Sequence, residues 1–193
     1  MKTYRERFIK NHRKEMQVAG NKKGYRNVLV YTGDYYTWEP EKWSLSSVRR
    51  LFLILEILTV ILFALSTIFG TIVNYSRLAM SGALISFVAW AFEAFAIFSL
   101  CLRRLPLEED DFSNVNRFFR ITTIVRCVCL LFTVVTGIIY MAEKGVETSG
   151  ILALIGYFLT AVIALVLFLM YMKLAKTKKI ISGENTRTAA KDR

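Results

Sequence analysis

Glu56, Glu93 and Arg126 each interrupt a run of otherwise apolar residues, and that placement limits what they can do. A charge in hydrocarbon is costly unless it is paired, neutralised or given a task. Two carboxylates and one guanidinium offer two kinds of chemistry. An ion pair can lock helices together, and a carboxylate in excess of its counter-charge can take up a proton. At 100° per residue, the surrounding polar and small residues collect on the same faces as the charges. Glu56 aligns with Phe63, Thr67, Gly70 and Asn74, with Thr59 at the border. Glu93 shares its face with Gly82, Ser86, Ala89 and Ala96, and Arg126 with Thr122, Cys129, Thr133, Gly137 and Tyr140. A further run offers Ala153, Gly156, Thr160 and Ala164 without any charge. Small residues let helix backbones approach and hydroxyls bond across them, so Gly82, Ser86, Ala89, Thr133, Gly137, Gly156 and Thr160 are expected at helix contacts.

Other chemistries find little support. His12 is the only histidine, which excludes a histidine-built metal site. Cys127 and Cys129 lack the Cys-x-x-Cys spacing, and two residues apart on a helix they face different ways. Cys101 reads as a small packing residue. The run Glu108-Glu109-Asp110-Asp111 lacks the spaced ligands and glycine of a calcium loop. It reads as a solvated segment that complements the start of the next helix, with Ser113 as cap. No nucleophile–base triad or phosphate-binding glycine loop is present. The expectation is a protein without catalytic residues, metal or cofactor, and not an enzyme.

The elements that must position the charges are long apolar runs at 51–73, 78–102, 118–142 and 150–172. Each reaches the roughly 20 residues that cross about 30 Å of hydrocarbon at about 1.5 Å per residue. With 54% apolar residues among 193 and a mean hydropathy of +0.40, the expected fold is an all-α integral membrane protein, a four-transmembrane-helix bundle. Before it, residues 1–24 read as a basic arm. Tyr4, Phe8, His12 and Met16 at four-residue spacing suggest a thin amphipathic helix there. Residues 25–50 hold YRNVLVYTGDYYTW, which suggests a short β-hairpin turning at Thr32-Gly33-Asp34. Trp38 and Trp43 stand just ahead of the first run, where tryptophans anchor at headgroup level. A basic tail fills 173–193.

Charge sets the expected topology. Up to Arg50 there are 12 Lys or Arg against 5 acids, and seven basic residues lie from Lys173 onward. The 102–120 connection holds Arg103, Arg104, Arg117 and Arg120, whereas the other two links hold only Arg77 and Lys144. Basic residues stay cytoplasmic, so both termini and the middle connection are expected there. Residues 1–50 hold no apolar core of a cleavable signal peptide, so the first run would itself direct insertion. That points to a multi-pass protein of the cell (plasma) membrane. On this topology all three charges lie in the cytoplasmic half of the bilayer or near its midplane. Glu56 is about 9 Å beyond Arg50, Glu93 about 15 Å before Arg103 and Arg126 about 12 Å past Phe118. A Glu56–Arg126–Glu93 cluster is therefore expected.

The net charge of +11 fits anionic lipid headgroups, and no folded basic domain argues for nucleic acid. Two functions suit such a chain. One is a non-enzymatic accessory, assembly or regulatory subunit that binds a membrane-protein partner. The other is a small proton-coupled transporter or channel that works as a homo-oligomer through Glu93 and Glu56.

Overall fold

A computed structural model describes residues 12–18, 25–40, 44–68, 70–102 and 106–181. They divide into two units. The smaller takes the described residues up to Thr37, those through Phe112 in the middle connection, and those from Lys178 on. The larger holds the four long helices.

In the smaller unit β1 (His12–Val18) pairs antiparallel with β2 (Tyr25–Tyr31), from His12 opposite Tyr31 to Val18 opposite Tyr25. Over His12–Val18 this departs from the amphipathic helix expected of the basic arm, whose Tyr4 and Phe8 lie outside the described residues. A stripe of one apolar residue per turn gives a helix little to bury, whereas the β-branched and aromatic run YRNVLVY offers a complete ladder. His12 sits edge-on to Tyr31, with ring centres 5.3 Å apart. The expected hairpin about Gly33 does not form either. Gly33 lacks the positive φ that a tight hairpin turn requires. Instead β3 (Tyr35–Trp38) lies between β4 (Leu107–Glu108) and β5 (Lys178–Ile181) in a separate sheet. Tyr36 stacks on Phe112 with ring centres 5.0 Å apart, and the Lys178 ammonium lies 4.3 Å from the centre of the Tyr36 ring. Tyr31 ties the unit through its hydroxyl, which donates to the Asp34 carbonyl and accepts from the Glu109 N–H. Burial raises the pKa of that phenol above its ordinary value.

The larger unit contains α1 (Leu45–Ile68), the one-turn α2 (Ile72–Tyr75), α3 (Arg77–Leu102), all but the first four residues of α4 (Glu109–Lys144), and α5 (Thr148–Lys176). The four long helices are each long and apolar enough to cross a membrane. Their ends differ from the apolar runs for local reasons. The Ser44 hydroxyl accepts from the Ser47 N–H and starts α1 six residues before the run does. At the far end α1 stops at Ile68, short of the expected Val73, and Thr71 caps the separate α2. α4 begins at Glu109, so Glu109, Asp110 and Asp111 fill its first turn and Ser113 lies inside the helix, not at its cap. Three residues link α4 to α5, and Gly145 among them has φ +113°. Trp38, expected at headgroup level, is buried in the protein, and Trp43 lies outside the described residues.

The small residues explain how the helices meet. A methyl group on Gly82 would stand 2.6 Å from Thr133 Oγ1 and 3.0 Å from the Cys129 carbonyl, so α3 and α4 touch there nearly backbone to backbone. Thr133 also donates to the Ala79 carbonyl across that contact at 3.2 Å. Gly137 takes Leu154 of α5 against α4, and Gly156 takes Ser66 of α1 against α5. Ser86, Ala89 and Thr160 are buried. The outward faces carry large apolar residues such as Ile61, Phe92, Val135 and Leu152, all exposed.

Candidate functional site

Glu56 and Glu93 stand on the buried faces of α1 and α3, Glu56 between the buried Phe52 and Thr59 and Glu93 between the buried Ala89 and Ile97. Arg126 reaches them from α4. Its Nη1 donates to Glu93 Oε2 at 2.9 Å and to Glu56 Oε2 at 3.4 Å. All three are removed from solvent, with exposures of 0% for Glu93, 2% for Arg126 and 5% for Glu56. The structure thus brings together the three charges that the sequence sets on separate runs.

The cluster is only half satisfied. Glu56 Oε1 and Glu93 Oε1 are buried without a hydrogen-bond partner among the described residues. One nitrogen serves both carboxylates, and the second oxygen of each is left over. The indole of Trp90 neighbours Glu56, yet among the described residues its N–H meets no acceptor within hydrogen-bond geometry. Beside them is a cavity of about 20 Å³, lined by Thr59, Val60, Phe63, Ser86, Phe87, Trp90 and Arg126. That volume suits one water and no larger solute. Thr59 and Ser86 donate their hydroxyl protons to the Glu56 and Ala83 carbonyls, both at 2.7 Å, which leaves their oxygens free to accept from a guest.

Trp90 was not read from the sequence as part of this site, although it stands three residues before Glu93 and so shares its face. Thr123 was missed likewise: it is buried three residues before Arg126 and neighbours Glu93. Asn74 was placed on the Glu56 face of one continuous helix. The break after Ile68 sends it elsewhere, where its amide donates to the Ser66 and Thr67 carbonyls at 2.9 and 3.4 Å and accepts from the Tyr157 hydroxyl at 2.9 Å. The cysteines pack: Cys127 Sγ lies 3.8 Å from the Ala161 carbonyl and Cys101 Sγ 3.5 Å from that of Arg49. Comparison with protein-family models, curated proteins and solved structures gives no match.

Proposed function

We propose that the chain is a multi-pass protein of the cell membrane, a four-helix bundle with both termini and the 102–120 connection in the cytoplasm. Within it the chain serves as a non-enzymatic accessory, assembly or regulatory subunit that binds another membrane protein. Insertion is supported by the inversion of ordinary polarity: charges inside, large apolar side chains outside. Arginines and lysines at the helix ends, among them Arg49, Arg50, Arg117 and Lys173, suit anionic headgroups.

The observation that carries the subunit reading is the closed charge cluster. Arg126 holds α1 and α3 from α4, and the space beside it admits a water and not a solute. An interior used to fix helices fits a scaffold better than a conduit. The small-residue face of α5 is occupied by α1 within the same chain, so a partner would meet the outer apolar faces or the cytoplasmic strands.

A second reading, an oligomeric proton-coupled transporter or channel, is favoured by the unpartnered oxygens of Glu56 and Glu93. Extraction from native membranes in mild detergent, followed by intact-complex mass spectrometry, separates the two. A stoichiometric foreign partner supports the subunit. A homo-oligomer alone favours transport, and a bare monomer counts against both.

A further inference from the structure

We propose that Glu56, Glu93 and Arg126 form a binding site for one proton, carried on Glu56 and exchanged through a water in the cavity beside Thr59, Ser86 and Trp90. The proposal rests on the inserted bundle described above and does not require that any solute crosses the membrane.

The first argument is a count of charge. On α1 no ionisable group other than Glu56 lies between residues 51 and 68. α3 presents Glu93 to it, and α4 presents Arg126 with the Cys127 thiol nearby. Along α5, from Thr148 to Met172, the only ionisable side chains are the phenols of Tyr157 and Tyr171. With both carboxyls ionised, the cluster would therefore hold one negative charge that nothing in contact with it cancels. A buried, uncancelled charge is removed by protonation before it is tolerated. A metal cation is a poorer answer, because Arg126 already stands at both carboxylates and would repel it.

The second argument assigns the proton. Glu93 is fully buried and holds the shorter bond to Arg126, 2.9 Å against 3.4 Å for Glu56. Ionised, it is the standing counter-ion of the guanidinium. Glu56 is the looser of the pair, and both Thr59, one turn along its own helix, and Trp90, its neighbour, line the cavity. A water there can accept from the Trp90 N–H or from Arg126 and donate to the Thr59 or Ser86 oxygen, within the two to four partners a buried water needs. Exchange then has a simple balance. Glu56 does not itself line the cavity, so its carboxyl turns toward the water for the transfer. An O–H bond then forms on Glu56 as one breaks on a hydronium, which leaves water, and no electron is transferred.

Infrared spectroscopy of the full chain in lipid nanodiscs at neutral pH tests this. The expected spectrum has one carboxylic-acid C=O stretch that moves down on exchange into D2O. It should fall to background in Glu56→Gln and also in Glu93→Gln, since either change leaves one carboxylate for one guanidinium. Its frequency should move in Glu56→Asp and stay in Glu93→Asp. Wild type without the band would overturn the proposal, and this arm needs no variant to fold. So would a band that survives Glu56→Gln, one that moves with Glu93→Asp, or one that is insensitive to D2O. Failure of insertion itself would be seen separately, by labelling of loop cysteines from either side of the membrane.

Discussion

Arg126 holds two carboxylates with one nitrogen, so the consequences of losing it differ from those of losing either partner. Arg126→Ala takes the guanidinium from two buried carboxyls and leaves the ionised Glu93 without its counter-charge. Breaking a buried pair from one side costs about 3–5 kcal/mol, and thermal unfolding in detergent should show a loss of that order or failure to assemble. Glu93→Gln instead leaves a balanced pair, Glu56 with Arg126, and should elute and unfold much as wild type does. If both variants behave like wild type, the cluster does not hold the helices. The cluster was legible in the sequence because three charges in apolar runs, at similar depth, have few places to go except toward each other. Trp90 and Thr123 were not legible. An indole or hydroxyl in an apolar helix is unremarkable until the helices are docked and its neighbours are known.

The helices themselves were legible as runs of apolar residues, but not their ends. Ends are set by caps and breaks: Ser44 for α1, Thr71 for α2, and acids in the first turn of α4. Those features extend beyond the apolar run or fall inside it, where hydropathy is silent. The strands were half legible. β propensity marked 25–38, but the choice of partner depends on residues distant in the chain, such as Leu107 opposite Tyr36. Two predictions belong at this scale. Gly82→Ala forces a methyl against Thr133 and the Cys129 carbonyl and should cost about 1–3 kcal/mol in detergent unfolding, as overpacking does. At the other end of the bundle, the Glu147 carboxylate accepts from the Ile72 N–H at 3.1 Å. The Ser149 hydroxyl and this N–H hold the Glu147 pKa below its ordinary value. A carboxyl lowered on folding stabilises the fold above its ordinary range and ceases to do so as pH falls through its folded value. The protection factor of the Ile72 amide, its exchange corrected for the intrinsic pH dependence, should therefore be high at neutral pH and fall in acid, whereas Glu147→Gln should lower it at neutral pH and make it respond less to acid.

At the scale of the whole molecule, the proposed topology places the link after α4 outside the cell and the start of α4 within it. In a background with Cys101, Cys127 and Cys129 replaced by serine, Lys144→Cys should react with a membrane-impermeant maleimide on intact cells. Asn114→Cys should react only after permeabilisation. Both positions are exposed, so access and not burial decides the result. The reverse pattern would place the termini outside and remove the basis for a cytoplasmic docking surface. The three-residue link between α4 and α5 also bears on how the chain is made. Arg120 and Arg126 burden α4 as it leaves the ribosome, while α5 carries no charge from Thr148 to Met172. On the proposed topology so short a link, turned by Gly145, should bring the two helices into the bilayer as a hairpin, with the uncharged α5 adding driving force to the charge-bearing α4. Insertion of Arg126 thus depends on a helix synthesised after it, and a nascent chain stopped at Glu147 should leave α4 less protected from protease than the full chain in a translation–insertion assay.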